Sequence, residues 1–273
     1  MNRAVNQSVA ANGTDAVWGT LRSEVELQLT RDPILGEFVH PIVLEHDNFD
    51  SALSALLAQK LECPTLSQST LFKLCLDAYK DDTEITHSAR LDLLAFCDRD
   101  PACSQYSIPF LYYKGYQGLQ MYRVAHWLWQ HQRQDLARYI QSRTSEIFAV
   151  DIHPAAQVGR GILIDHATSI VIGETAVVGD NVSMLHEVTL GGTGKQAGDR
   201  HPKVASGVLI GAGAKILGNV RVGKGAKIGA GSVVLDDVDA HCTVAGVPAR
   251  PVGSCGSDQP ALEMDHTLTK EQL

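Results

Sequence analysis

From Ile152 onward an apolar residue returns every six positions, and no other feature of the chain limits its fold so tightly. The series runs Ile152, Val158, Ile164 and Ile170, slips by two, and resumes at Ile172, Val178, Met184 and Leu190. After a break it returns at Ile210, Ile216, Val222, Ile228 and Val234. Glycine often follows, as in "VGRG", "VGDN", "IGAG" and "VGKG". A period of six is the signature of a parallel β-helix. The apolar residue points inward, and glycine fits the corners where a Cβ has no room. Three hexapeptides close one triangular coil, so residues roughly 18 apart stack at about 4.8 Å. The segment from 152 to 245 has room for roughly five coils.

The stretch between Leu190 and Ile210 breaks the period with "GGTGKQAGDRHPKVASGVL". A coil cannot absorb it, so a protruding loop is expected, and loops on a rigid scaffold commonly carry function. It gathers Arg200, His201 and Lys203. "GGTGK" fails as a phosphate loop, because Thr189 stands where the motif needs glycine and Gln196 where it needs Ser or Thr.

Before residue 150 the pattern is helical. "FDSALSALLAQKLE" places Leu53, Leu56, Leu57 and Leu61 at spacings of three and four, with Asp50 or Ser51 as its cap. "STLFKLCLDAYK" repeats the stripe, and "GLQMYRVAHWLWQHQRQDLARYIQSRTSEIF" predicts a long helix or a helix pair in which Trp127 and Trp129 pack. The expected organisation is α+β: an α-helical domain over 1–150, a parallel β-helix over 151–250, and a flexible tail over 251–273, which is polar and aperiodic.

Composition narrows the function. The net charge of −8 and the lack of a Lys/Arg run argue against a nucleic-acid binder. No stretch approaches the length of a membrane span, and the N-terminus "MNRAVNQSVAANGTD" lacks an apolar signal region. The six cysteines show no Cys-x-x-Cys pair, which predicts reduced thiols in a cytoplasmic protein and no metal.

The chemistry centres on "LIDHATS". His166 holds the third position of its hexapeptide and belongs on an outer face. Asp165 adjoins it, and Asp151 lies about one coil back. A carboxylate orients a neutral imidazole and stabilises the imidazolium, and an imidazole suits a general base at neutral pH. Arg200 suits a carboxylate and an Asp suits an ammonium. Together these groups fit an amino acid bearing a hydroxyl. His186, at the same hexapeptide position one coil above His166, is either a rival base or a polar neighbour that tunes the site.

"VDIHPAAQVGRGILIDHATSIVIGETAVVGDNV", "VTLGGTGKQAGDRHPKV", "GVLIGAGAKILGNVRVGKGAKIGAGSVVL" and "AGVPARPVG" resemble serine O-acetyltransferases, as do "DRDPAC" and "YKGYQGLQMYRVAHWLW" in the helical half. The resemblance covers about residues 16 to 255. It implies a left-handed coil, trimers with active sites between neighbours, and a hexamer of two trimers. It implies acetyl transfer from acetyl-CoA to L-serine, giving O-acetylserine and CoA on the way to cysteine, by direct attack. Carried over by motif, His166 is the base and Asp151 its partner. Asp100 and Asp165 hold the serine ammonium, Arg200 its carboxylate, and His201 assists. Gly192, Thr193, Ala212 and Ala230 line the CoA channel. L-Cysteine shares the ammonium and carboxylate of serine and is the expected inhibitor. Relatives that dock into O-acetylserine sulfhydrylase end in isoleucine, where this chain ends in Leu273. The competing readings are a sugar or other alcohol acetyltransferase, a zinc carbonic anhydrase, for which His153, His166, His186 and His201 lack the short His-x₄-His pair, and a scaffold without chemistry, which leaves the Asp151/His166 pair and the Arg200 loop unexplained.

Overall fold

The computed structural model describes residues 15–194 and 197–268. The chain forms two compact units, Met1–Tyr113 and Lys114–Leu273.

The first unit is helical: α1 (Ala16–Arg31), α2 (Gly36–Val39), α3 (Phe49–Leu61), α4 (Gln68–Asp81), α5 (Thr83–Arg99) and α6 (Ser107–Tyr112). The apolar stripes meet as their spacing predicts, and Leu21, Leu53, Leu56, Leu57, Leu71 and Phe110 are fully buried. Asn48, rather than Asp50 or Ser51, caps α3 by accepting from the Ser51 N–H at 2.9 Å. The cap must precede the first helical turn to reach its unpaired N–H groups. Arg90 ties α5 to the start of α1 through Asp15 at 2.6 Å and to α3 through Asp50 at 3.0 Å. Glu24 of α1 accepts from the N–H groups of Tyr106 and Ser107, at 3.2 and 2.7 Å, and so holds the start of α6.

The second unit begins with the helix pair α7 (Lys114–Gln130) and α8 (Gln134–Phe148). The change from helix to strand falls at Val150, while the compact units divide between Tyr113 and Lys114. The reason is packing: α7 and α8 lie against each other and against the first strands. Tyr122 donates to the Ala156 carbonyl at 2.5 Å, and Gly118 sits so close to the Val150 side chain that a Cβ there would come within 3.0 Å of it.

The strands that follow are β1 (Val150–Ile152), β2 (Gln157–Val158), β3 (Leu163–Ile164), β4 (Ile170–Ile172), β5 (Val177–Val178), β6 (Ser183–Met184), β7 (Thr189–Gly191), β8 (Lys203–Val204), β9 (Leu209–Ile210), β10 (Lys215–Leu217), β11 (Arg221–Val222), β12 (Lys227–Ile228), β13 (Val233–Val234), β14 (Cys242–Gly246) and β15 (Ala249–Ser254). They form three parallel faces, closed by one antiparallel pair at β14–β15. The first face has the order β1-β4-β7-β10-β13, the second β11-β8-β5-β2, and the third β15-β14-β12-β9-β6-β3. The hexapeptide apolar residues fill the interior: Ile172, Met184, Leu190, Ile210, Ile216 and Ile228 are all at most 1% exposed.

The irregularities of the period have structural meanings. Ile152 pairs with Ile172, and Ile164 with Met184, so the slip adds two residues to one coil. They are accommodated in the corner between β3 and β4, where His166, Ala167 and Ser169 all take positive φ. The break after Leu190 is the long coil whose register resumes at Leu190↔Ile216. The repeat restarts at Val204, one hexapeptide earlier than the sequence pattern predicts. Pro202 and Lys203 interrupt the apolar rhythm there, yet Lys203–Val204 still pairs with Val177–Val178.

Within the tail, β15 pairs with β14, and α9 (Pro260–Glu263), with Pro260 and Ala261 buried, returns to the third face, while the other residues of 251–268 are exposed or half-buried. Ser183 donates to the Ala261 carbonyl at 2.8 Å and the buried Lys227 ammonium to the Thr267 carbonyl at 2.7 Å. An aperiodic segment has no stripe to bury, but it can satisfy polar groups that a β-helix face leaves over. Leu273 lies outside the described residues.

Candidate active site

The first face of the β-helix is bounded by two edges, and the candidate residues sort onto them. The edge between the third and first faces carries His166. The register Ile164↔Met184↔Ile210↔Ile228 stacks four coils, so His166, His186, Ala212 and Ala230 form one column along it. Backbone bonds fix this column: the Gly213 N–H donates to the His186 carbonyl at 2.9 Å and the Gly231 N–H to the Ala212 carbonyl at 2.7 Å.

His166 projects from its tight corner with a side chain 73% exposed. Its Nε2 lies 3.7 Å from Asp165 Oδ2, close enough for attraction but too long for a hydrogen bond. The rings of His166 and His186 meet edge to face, 5.8 Å between centroids, so His186 does lie one coil above. The His186 Nδ1 is buried without a hydrogen-bond partner among the described residues. Lys114 donates to the Thr168 hydroxyl at 2.6 Å and braces the same corner.

The edge between the first and second faces carries Arg200 and His201. Both backbone N–H groups donate to the Thr175 hydroxyl, at 3.0 and 3.1 Å. The Arg200 guanidinium donates to Glu174 at 2.8 Å, and this bond holds the Glu174 carboxyl below the usual carboxylate range. The His201 ring is 7% exposed and lies on Gly173, where a Cβ would come within 2.1 Å of it. The Thr175 N–H donates to His201 Nδ1 at 3.2 Å, so the neutral ring carries its proton on Nε2. Burial, helped by Arg200, lowers the His201 pKa and favours that neutral form. Gly192 and Thr193 continue this edge: Gly192 approaches the His201 and Arg200 side chains, and Thr193 abuts Gly218. Glu174 and Thr175 are site residues that sequence spacing missed. They meet Arg200 only when the register is counted through the long coil.

Asp151 sits on the first face in register with Val171, not beside His166. Its Oδ1 accepts from Gln141 of α8 at 2.7 Å, in a groove of about 600 Å³ lined also by Arg138, Ser142, Ser145 and His153. Burial lowers the His153 pKa, while Glu174 and Asp151 partly offset it. Among the described residues, Asp151 and His166 form no hydrogen bond or ion pair with each other. The two-residue corner insertion carries the strand register past His166. Asp100 belongs to the helical unit, where it caps the C-terminal end of α5 and its carboxylate accepts from the Ala102 N–H at 2.8 Å.

Among the described residues, no group of three or more His, Cys, Asp or Glu side chains is placed to hold a metal ion. No helix there is long and apolar enough to cross a membrane.

The chain matches the family model for the serine acetyltransferase N-terminal region over residues 17–121, and that of the bacterial transferase hexapeptide over 201–236. It is 53% identical over 251 residues to the serine acetyltransferase of Salmonella typhimurium, covering 92% of each chain. A serine acetyltransferase solved in complex with cysteine superposes with a TM-score of 0.91 at 49% identity, over 93% of this chain and 98% of that one. The Brucella abortus serine acetyltransferase in complex with coenzyme A gives 0.87 at 50%, over 89% and 97%. Helical unit, β-helix and identity along the length agree: the chain belongs to the serine acetyltransferase family.

Proposed function

We propose that the chain transfers the acetyl group of acetyl-CoA to the hydroxyl of L-serine, at sites completed by a second copy of itself. One observation carries the second half of this reading. The amino-acid-binding residues of the β-helix and the CoA-lining residues each divide between the two edges of a single face, and of the acid–base pair His166 lies at one edge and Asp151 within the face. His166, Asp165, Ala212 and Ala230 occupy one edge, and Arg200, His201, Gly192 and Thr193 the other. A neighbouring β-helix packed on that face can bring one copy's His166 edge to the other's Arg200 edge and Asp151. Heterologous contact of this kind closes into a ring when its rotation is a third of a turn, and the reading is a trimer, with two trimers forming a hexamer.

The chemistry then follows from each group. The His166 imidazole accepts the serine hydroxyl proton as the oxygen attacks the thioester carbonyl. The new C–O bond forms, the C–S bond breaks, and the proton passes to the leaving thiolate. Asp151 from the adjoining copy steadies the imidazolium. Arg200, pre-oriented by Glu174, holds the serine carboxylate, and the His201 Nε2–H donates beside it. Asp165 and Asp100 take the ammonium. Ala212 and Ala230, with the positive-φ Gly213 and Gly231 beside them, leave a shallow strip that suits a thin pantetheine chain. The cysteine and coenzyme A complexes of relatives support cysteine as an inhibitor at the serine groups and acetyl-CoA as donor. Free cysteines support a cytoplasmic setting. Docking of a sulfhydrylase would involve residues 269–273, outside the described residues.

Release of CoA thiol from acetyl-CoA tests the reaction, with L-serine, L-homoserine and glucosamine as acceptors. Serine-dependent release is expected, and release with glucosamine alone would overturn the assignment of Arg200 and Asp100. Mixing inactive His166→Ala and Arg200→Ala proteins, unfolded and refolded together, tests the shared site. Recovery of up to about a quarter of wild-type turnover is expected for a random ring. No recovery from a mixed oligomer would place the whole site in one chain.

A further inference from the structure

The helical unit contains a feature that acetyl transfer does not use. Cys97, in the last turn of α5, and Cys103, in the loop after it, place their sulfurs 3.1 Å apart. Cys97 is half-buried and Cys103 is 4% exposed. A disulfide requires the sulfurs to close by only about 1 Å more. The residue between them that matters is Asp100. Its carbonyl accepts from the Cys103 N–H at 2.9 Å and its carboxylate from the Ala102 N–H at 2.8 Å, so Asp100 is the hinge of the span the two thiols bracket.

We propose that Cys97 and Cys103 are a redox pair, closed by a peroxide, and that closure displaces Asp100 and weakens serine binding. The regulatory half rests on the ammonium-binding role given to Asp100 above. The two sulfurs differ in exposure, and their hydrogen bond shifts the thiols in opposite directions, Cys103 down against burial and Cys97 up. One thiolate of the pair attacks one peroxide oxygen, the O–O bond breaks, and one water leaves after protonation, giving a sulfenic acid. The other sulfur then attacks that sulfur, the S–O bond breaks, the attacking thiol loses its proton, and a second water leaves. Two thiols are oxidised by two electrons and the peroxide is reduced to two waters. The remaining cysteines, at 63, 75, 242 and 255, lie outside this span, and burial pushes the Cys75 thiol up to about 12, away from reactivity.

The sequence supplies a clean readout. Trypsin cuts after Arg99, between the two cysteines, so the bond appears as two linked peptides that dithiothreitol separates. Reduced full-length protein is treated with hydrogen peroxide and followed by peptide mapping and serine kinetics. The linked pair is expected, with serine KM rising several-fold, kcat and acetyl-CoA KM changing little, and full reversal by dithiothreitol. Cys97→Ser, which changes the more exposed partner, should abolish both link and shift. Cys103→Ser should do the same where it folds. Absence of the link, or oxidation of either thiol beyond sulfenic acid without it, overturns the pair. A link with unchanged serine KM overturns the coupling, and Asp100→Asn then separates the causes. A raised KM in that variant leaves the Asp100 role standing, and an unchanged KM removes it.

Discussion

The two edges of the first face are built in opposite ways. The Arg200 edge is locked: Thr175 receives two backbone N–H groups, Glu174 holds the guanidinium, and Gly173 supports a buried imidazole. The His166 edge is open: its imidazole is mostly exposed, with a loose ionic neighbour and a histidine ring as its contacts. A group that must recognise a fixed pattern of charge gains from being held before substrate arrives. A group that must exchange a proton with substrate, and reach a second copy of the chain, has to stay accessible. The two edges thus differ in how firmly their side chains are held before any ligand arrives.

The largest effect should come from the open edge. His166→Ala is expected to lower kcat about 10²–10⁴-fold, the usual contribution of a general base, with a smaller change in serine KM. Steady-state kinetics over pH 6–9 would check it, and near-normal turnover at neutral pH would remove His166 from the chemistry. The locked edge should respond in stability as well as binding. Gly173→Ala forces a Cβ into the His201 ring, and overpacking of this kind costs about 1–3 kcal/mol. A lowered melting temperature together with a raised serine KM is expected. An unchanged melting temperature would mean that the ring is free to move.

The smallest effect is a pH dependence. Burial lowers the folded pKa of His201 and of His153, so the unfolded chain binds more protons wherever the two states differ. Stability should therefore fall as pH drops below the ordinary histidine value of about 6.5. Glu174 acts lower down, because its folded pKa is depressed: its contribution is present above the ordinary carboxylate range and lost as pH falls through the depressed value. Melting curves between pH 7.5 and 5 should show the histidine slope, and His201→Gln should flatten it. A slope unaltered in that variant would assign the effect elsewhere.

Much of the fold and part of the site are legible in the order of residues. The six-residue period, its two-residue slip and its long interruption mark the coils, the His166 corner and the Arg200 loop, because a repeated steric demand leaves a repeated residue choice. The place of His186 above His166 follows from counting alone. The features that stay hidden lack a period. Glu174 and Thr175 meet Arg200 across the lengthened coil, where simple stacking arithmetic fails. Val204 hides behind Pro202 and Lys203. Residues 251–268 return to the third face through single polar bonds rather than an apolar stripe. The helices α7 and α8 look like those before them in sequence, and only packing assigns them to the β-helix. Asp151 falls in register with Val171, because the inserted corner lengthens that coil by two residues.

The same corner is a store of strain. Three residues in four positions, His166, Ala167 and Ser169, hold a backbone conformation that costs a side-chain-bearing residue about 1 kcal/mol or more each. Glycine at 166 would relieve that residue's share of the strain and remove the proposed base in the same step. Thermal persistence and turnover therefore pull in opposite directions at this one codon, and engineering for heat tolerance that ignores the chemistry would discard the histidine first.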